Sequence, residues 1–250
     1  MSLKLKDSGS VISIRWIPRY DGMERFLHWA HTGAFIPLVL TGMVLFMPVL
    51  APLAQGEAGQ FVRLLHRILA VFFAAVPIAY ALFRPRRLLV TLRDLRFSSY
   101  DIGWLKGAIP YYLLGQHIDM PPQGRFNTGE KINVVVLVAG TVIFCITGFV
   151  MWFGKGLVTP EFFQAMVIVH DLTMIVTVMM FIIHFYLAVA HPLMWQGLVS
   201  MRFGVVSESY AREHHTAWYY GDERARKMYE AQKAAAAVEQ AGSLPQTENP

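Results

Sequence analysis

The stretch IVHDLTMIVTVMMFIIHFYL, residues 168–187, sets the class of this chain. It carries His170 and His184 near its two ends, and Asp171 is the only charged residue between them. Because an unpaired imidazole is costly in hydrocarbon, two histidines on one apolar helix indicate a function. Fourteen residues correspond to a rise of roughly 21 Å, and fourteen steps of about 100° end about 40° short of four full turns. Both histidines are therefore expected on the same face.

The composition is that of an integral membrane protein, with 55% hydrophobic and 16% charged residues among 250. Four apolar runs are long enough to cross roughly 30 Å of hydrocarbon at about 20 residues each. These runs cover residues 28–50, 65–83, 132–153 and 165–190. The sequence therefore predicts an all-α membrane protein, a four-helix bundle within a domain of residues 1–230, followed by a disordered cytoplasmic tail at 231–250. No signal-peptide cleavage site follows the first run, so it is expected to stay in the mature protein.

Lys and Arg residues are distributed unevenly around the four runs. Nineteen of the 22 lie before the first run, between the second and third, or after the fourth. By the positive-inside rule, both termini and the central loop are predicted to be cytoplasmic. Because this charge lies beside membrane spans and is spread over three segments, a nucleic-acid partner is not expected.

The central loop, residues 84–131, is too long to be a simple connection. Its stretch YDIGWLKGAIPYYLLGQ, residues 100–116, mixes aromatic and aliphatic residues with one lysine, which predicts a helix lying along the membrane interface. The loop ends in PPQGRFNTGEK, residues 121–131, which brings Asn127, Thr128 and Glu130 to the mouth of the third span.

Four histidines pair by their depth in the membrane. His66 and His170 start spans that enter from the outside and form the outer pair; His28 and His184 lie near the cytoplasmic side and form the inner pair. Two stacked pairs of facing imidazoles with apolar walls suit two b-type haems, which take two axial ligands each. His31, one turn from His28, could compete with it for the iron.

A zinc or proton-transfer site is the alternative interpretation of these histidines. It would require carboxylates at the same depth, for which Asp171 and Glu161 are the candidates. His117 and the His214-His215 pair lie outside the spans, where solvent or a partner subunit is expected.

The single cysteine excludes an intrachain disulfide, a c-type haem attachment and a Cys-ligated iron–sulfur cluster within this chain. Two Thr-Gly pairs, Thr41-Gly42 and Thr147-Gly148, stand near the far ends of the first and third spans. Small residues there allow close approach of another helix or of a flat cofactor, and helix packing alone would explain them.

Five short elements, in order over about residues 15–230, resemble the cytochrome b (gamma) subunit of membrane-bound formate dehydrogenase. They are ERFLHW (24–29), RLLHR (63–67), RFNTGEK (125–131), HDL (170–172) with a histidine fourteen residues after its own, and EHHTAWY (213–219).

The resemblance implies a four-helix anchor that binds two haem b groups. His66 and His170 would be the axial ligands of the outer haem iron, and His28 and His184 those of the inner one. It also implies a quinone site near the inner haem, with His184, Asn127 and Glu130 close by.

Glu130 departs from the family pattern, which has Gln there, and His191 has no counterpart.

The resemblance further implies that the chain lies in a bacterial inner membrane, with partners on the periplasmic side: an iron–sulfur (beta) subunit and a molybdenum or tungsten catalytic (alpha) subunit. Formate would be oxidised on the partner, so no catalytic residue for that step is expected in this chain. Electrons would pass through the two haems to a membrane quinone, with proton uptake from the cytoplasm.

Related cytochromes of hydrogenases and thiosulfate reductases, a stand-alone cytochrome b561-like reductase and a haem-free anchor remain alternatives.

Overall fold

The computed structural model describes residues 2–7, 10–116 and 118–242. The helices are α1 (Gly22–Phe46), α2 (Gly56–Phe83), α3 (Pro85–Asp94), α4 (Ser99–Ala108), α5 (Thr128–Phe153), α6 (Pro160–Phe185), α7 (Gln196–Phe203), α8 (Glu208–His214), α9 (Thr216–Tyr220) and α10 (Asp222–Gly242). The strands β1 (Ser2–Asp7), β2 (Ser10–Pro18) and β3 (Val205–Ser207) form one sheet in that order, with β1 and β2 antiparallel. The predicted all-α class is confirmed, and the small sheet is an addition that the apolar runs did not predict.

Within the described residues, four helices are long and apolar enough to cross a membrane: α1, α2, α5, and α6 with its π-helical extension to Ala190. The first ends at Phe46, before the predicted limit, because a 3-10 turn with Pro48 at its start follows. The second begins at Gly56, since a polar segment of the helix precedes its apolar run. Hydropathy thus located the spans, whereas turn residues and helix caps set their ends.

Local hydrogen bonds explain where two of these helices begin. At α1 the backbone N–H of Glu24 donates to the Asp21 carboxylate over 2.8 Å, and the N–H of Asp21 donates to Glu24 over 2.9 Å. This reciprocal capping box satisfies N–H groups that the first turn leaves without helical partners. Thr159 caps α6 through its hydroxyl, and Pro160 occupies the first helical position.

The chain folds as two compact units. One comprises residues up to Arg19, Arg93–Lys131 and those from Val206 onward; the other comprises Tyr20–Leu92 and Ile132–Val205. Parts of all three segments rich in Lys and Arg thus belong to the first unit. The side of the membrane on which these segments lie stays a prediction.

The central loop and the tail both contain helix. The loop forms α4 and a π-helical turn, Ile109–Leu113, where one interfacial helix was predicted. Its place at the membrane interface stays a prediction. In the tail, α10 continues to Gly242, so residues 231–242 of the expected disordered segment are helical, and residues 243–250 lie outside the described part of the chain.

The second unit, Tyr20–Leu92 and Ile132–Val205, contains most of the membrane-crossing helices and is called the transmembrane unit below. Its core is small and largely aromatic. Phe35 and Phe73 are buried with Ala34, and Phe181 of α6 packs against them. Many large apolar side chains on the same helices are exposed, among them Leu82 and Phe83. Such outward-facing apolar residues are what the hydrocarbon of a bilayer would cover.

Candidate functional site

Four histidines of the transmembrane unit meet in two pairs. The rings of His28 on α1 and His184 on α6 have centroids 6.3 Å apart and planes inclined by 60°. Those of His66 on α2 and His170 on α6 are 6.4 Å apart and inclined by 56°. These are the same pairs that membrane depth predicted, and α6 contributes one histidine to each.

The separation within each pair fits one metal ion between two imidazoles. A metal–imidazole bond is about 2 Å long, and a ring nitrogen lies about 1.1 Å from its ring centre, so two ligands on opposite sides of one metal ion have centroids about 6.2 Å apart. The ring of His31, by contrast, stacks on Phe73 at 3.8 Å, which is direct contact. The residues present therefore fit axial ligation of two haem irons.

The outer pair has a defined hydrogen-bonding environment. Thr41 Oγ1 lies 2.8 Å from the Pro37 carbonyl oxygen and 2.8 Å from Nδ1 of His66. A carbonyl only accepts, so the single hydroxyl hydrogen is used there and Nδ1 donates to Oγ1. The proton on Nδ1 leaves Nε2 of His66 with its lone pair, as a metal ligand requires.

The same arrangement recurs at His170. Thr147 Oγ1 lies 2.7 Å from the Ile143 carbonyl oxygen and 2.8 Å from Nδ1 of His170. The proton again belongs on Nδ1, and Nε2 is free to bind a metal. Both Thr-Gly pairs of the sequence thus lie beside histidines of the outer pair.

The inner pair is surrounded differently. Trp29 packs edge-on against His28 at 5.0 Å and donates its indole N–H to the Met201 carbonyl over 2.9 Å. Nδ1 of His28 is buried and has no hydrogen-bond partner in the described part of the chain. His31 stacks on Phe73 instead, so His28 is the histidine of α1 that pairs with His184, and its role as a ligand stays a prediction.

The zinc interpretation finds no support in the described residues. Among them, no group of three or more His, Cys, Asp or Glu side chains could hold a metal ion. A structural zinc site takes four protein ligands, whereas haem iron already has four ring nitrogens and needs only two axial ligands from the protein. Two separate pairs of histidines therefore match haem better than zinc.

The residues implied for a quinone site fall in different units. Asn127 and Glu130 cap the start of α5 reciprocally: the Asn127 N–H donates to Glu130 over 3.0 Å, and the Glu130 N–H donates to Asn127 Oδ1 over 2.9 Å. Arg19 Nη2 donates to both carboxylate oxygens of Glu130, over 3.0 and 2.8 Å. His184 belongs to the other unit, so its geometry toward them stays a prediction.

The His214-His215 pair, for which solvent or a partner subunit was expected, packs within its own unit: His215 is buried and His214 is partly buried. His215 is 0% exposed, and its Nδ1 donates to the Gly124 carbonyl oxygen over 2.8 Å. Burial, with the nearby Arg19 guanidinium, lowers the pKa of His215 to about 3, so the ring is neutral. The aromatic neighbours in HHTAWY were the one sequence signal for burial, since Trp218 packs edge-on against His215.

A buried ion pair in the same unit was not predicted at all. Lys131 Nζ donates to both oxygens of Asp101, over 3.0 and 3.1 Å, and the Thr128 hydroxyl donates to the same carboxylate over 2.6 Å. Burial alone would raise the pKa of Asp101, but the bonds from Thr128, Ser98 and Lys131 outweigh it and lower the pKa. Ser98 is a local partner in the capping box of α4, whereas Thr128 and Lys131 are 27 and 30 residues from Asp101, so no local pattern indicated the ion pair.

His191 and His117 complete the account of the predicted histidines. His191 is buried; its Nδ1 accepts the Leu193 N–H over 3.3 Å, and its ring packs edge-on against Tyr186. It thus terminates the extension of α6. His117 lies outside the described residues.

Comparison with known proteins relates the chain to subunits of formate dehydrogenases. It is 23% identical to the cytochrome b556(Fdn) subunit of the nitrate-inducible formate dehydrogenase of Escherichia coli K12, over 88% of this chain and 97% of that one. It is 26% identical to the cytochrome b556(fdo) subunit of the same organism, over 81% and 92%. Identity to the cytochrome b556 subunit of formate dehydrogenase of Haemophilus influenzae is also 26%, over 81% and 82%.

These identities indicate distant homology over most of the chain, which confirms the resemblance seen in the sequence. The sequence profile of the family described as prokaryotic cytochrome b561 matches residues 19–204, a range that includes all four paired histidines. The chain therefore belongs to the prokaryotic cytochrome b561 family.

Proposed function

We propose that this chain is the membrane-anchor cytochrome b subunit of a formate dehydrogenase, which passes electrons from a periplasmic iron–sulfur subunit to a membrane quinone. The observation that carries the proposal is the two histidine pairs on α1, α2 and α6, three of the four helices long enough to cross a membrane, each pair with the separation of a bis-imidazole iron site. The relatives, named as cytochrome b556 subunits of formate dehydrogenases, support the choice of complex.

The residues of this chain have defined tasks in the proposal. His66 and His170 hold the outer haem, and His28 and His184 hold the inner one. The two bound haems would supply one-electron transfer between them. The helices exclude water from the sites and fix the imidazoles, and α6 sets the spacing because it carries a ligand of each haem.

The quinone site is proposed from the resemblance. His184, Asn127 and Glu130 would bind the quinone, with protons taken from the cytoplasm. Because Glu130 bonds to Arg19 through both carboxylate oxygens, it is expected to position Asn127 rather than to release a proton itself. This accounts for a carboxylate where the family pattern has an amide: the charge of Arg19 balances it.

The haem content of the purified protein tests the proposal. By pyridine haemochrome, the wild-type chain should bind two haem b groups, and the His170→Ala and His184→Ala variants should each bind one. His31→Ala is the matched control and should keep two, because His31 stacks on Phe73 and belongs to neither pair. The haem that remains in each single variant also reports that the bundle has folded. Wild-type protein without haem would refute the proposal.

Membership in a complex is a separate question, for which the name of the matching family favours one alternative, a stand-alone reductase. Mild-detergent purification from native membranes should yield this chain together with an iron–sulfur subunit and a molybdenum or tungsten subunit. In that complex, His184→Ala should abolish quinone reduction and leave formate oxidation with artificial dyes intact. A chain that purifies alone, with both haems, would favour the stand-alone reductase.

A further inference from the structure

We propose that Thr41 and Thr147 are positioning residues that tune the outer haem and not the inner one. Each accepts a hydrogen bond from the Nδ1–H of one outer ligand, fixes its tautomer and increases its electron donation to the iron. This inference rests on the proposed function, since it requires haem at the outer pair.

The hydroxyl geometry is the first line of evidence. Both threonines are buried, with exposed fractions of 8% and 2%, and both lie 2.8 Å from an imidazole Nδ1. Each hydroxyl is also within 2.8 Å of the carbonyl oxygen four residues earlier on its own helix. That carbonyl takes the hydroxyl hydrogen, so the threonine oxygen can only accept from the imidazole.

The arrangement is repeated in the two helical hairpins, α1–α2 and α5–α6. In each hairpin, the threonine of a Thr-Gly pair on the first helix is hydrogen-bonded to a histidine on the second. A glutamate also precedes each threonine by seventeen residues: Glu24 before Thr41 and Glu130 before Thr147. The two histidines of the outer pair thus receive the same hydrogen-bonding support, one from each hairpin, and would hold the iron between them.

The glycines complete the repeated unit. A Cβ at Gly42 would lie 3.7 Å from Cε1 of His66, and one at Gly148 would lie 3.8 Å from Cε1 of His170. Cε1 joins the two ring nitrogens, so these glycines border the side of each ring that leads to Nε2. A Cβ at either position would be in ordinary van der Waals contact with the ring, so the glycines lie directly beside the outer ligands and the hydrogen-bonding support comes from the threonines.

At least one histidine of the inner pair, His28, lacks a comparable hydrogen bond at Nδ1. Nδ1 of His28 is buried and bonds to none of the described residues, as noted above. A hydrogen-bond acceptor at Nδ1–H makes the imidazole a stronger donor to the metal and therefore favours the ferric state. The outer haem should consequently have its midpoint potential lowered by the two hydroxyls.

The size of the effect follows from the typical strength of such supporting bonds. Loss of one usually reduces metal affinity about 10- to 100-fold. If the loss weakens ferric binding about tenfold more than ferrous binding, the midpoint potential of that haem rises by about 59 mV. Thr41→Val and Thr147→Val keep the shape and remove the hydroxyl.

Redox potentiometry of the purified wild type and of both valine variants, followed by the optical α-band and by electron paramagnetic resonance, tests the inference. The variants should raise the potential of the outer haem and leave that of the inner haem unchanged, and Thr41→Ser should restore the wild-type value. The matched control is Thr177→Val: Thr177 is 2% exposed, and its hydroxyl bonds to the Thr173 and Met174 carbonyls.

The outcomes separate this inference from the proposed function. Selective loss of the outer haem in the valine variants, with retention in Thr41→Ser, would also support the positioning role. Unchanged potentials, or equal shifts at both haems, would refute it while leaving the haem assignment intact. Absence of haem from the wild type would instead refute the proposed function.

Discussion

Replacement of Glu130 by Gln tests the ion pair between Arg19 and Glu130 in the first turn of α5. Arg19 Nη2 lies 2.8 Å from the nearer carboxylate oxygen; the Arg19 side chain is 0% exposed and that of Glu130 26%. The glutamine has nearly the same shape and is the residue of the family pattern, so the change removes a charge with little change in packing. It leaves the Arg19 guanidinium buried without the charge that now balances it.

The expected cost can be worked from this geometry. At an effective dielectric constant near 20, two unit charges 2.8 Å apart attract by about 6 kcal/mol, and the desolvation of Arg19 opposes part of that. Removing one partner of a buried pair usually costs about 3–5 kcal/mol. Because Glu130 is partly exposed and Gln still accepts one N–H, we expect about 3 kcal/mol. For a chain of 250 residues this lowers the thermal midpoint by about 6–12 °C.

The assay is thermal unfolding in detergent at a fixed scan rate, for wild type, Glu130→Gln, Arg19→Gln and the double variant. The double variant should lose less than the sum of the single losses, since the second change removes the charge that the first left unbalanced. Glu223→Gln is the matched control: its oxygen lies 2.7 Å from Lys227 Nζ, but the pair is exposed, and no measurable change is expected. Strictly additive losses, or a loss at Glu130 no larger than that at Glu223, would contradict the argument.

Two further predictions concern protonation and packing. The pKa of His215 is about 3 in the fold and 6.5 in the unfolded chain, so its contribution to stability is complete above 6.5 and is lost as the pH falls toward 3. Between about pH 6 and about pH 4, the free energy of unfolding should therefore fall more steeply with falling pH in the wild type than in His215→Gln, by up to about 1.4 kcal/mol per pH unit. Denaturant unfolding at several pH values measures both slopes, and equal slopes would contradict the prediction. Gly140→Ala should lower the thermal midpoint, because the new Cβ would lie 2.6 Å from Thr177 Cγ2, an overpacking that typically costs about 1–3 kcal/mol. Gly33→Ala, with no atom within 4 Å of the new Cβ, should not lower it, and equal effects would argue against close packing at Gly140.

The histidine pairs were predictable because every step used a property that can be read from the sequence of each helix and from the order of the helices along the chain. Hydropathy located the spans, the alternation of spans gave the depth of each histidine, and helical periodicity placed His170 and His184 on one face. The choice between His28 and His31 was not predictable, because it depends on Phe73 of another helix. Helical periodicity predicts which face of its helix a side chain occupies, whereas the residue it contacts there depends on how the helices pack.

The buried polar groups outside the spans were missed for the same reason. In the sequence, Lys131 is one of several Lys and Arg residues of the central loop, and only the fold places it against Asp101, thirty residues away. His215 lies in a polar tail, yet the fold brings Gly124 to its Nδ1 across 91 residues. Charged and polar residues are usually exposed, so sequence reasoning assigns them to solvent unless a partner is visible nearby in the chain.

The position of two ligands on α6 has a consequence for how the sites depend on each other. His170 and His184 are fixed to one rigid helix, so their spacing of roughly 21 Å cannot change without unfolding it, whereas α1 and α2 each supply only one opposing ligand. A shift of α1 would therefore disturb the inner ligand His28, and through Thr41 it would also reach His66 of the outer pair. A shift of α5 would reach the outer pair through Thr147. Within the described residues, α1 therefore acts on both pairs, on one through His28 itself and on the other through the Thr41 hydroxyl, so Thr41 is the link by which a movement of α1 would be felt at His66.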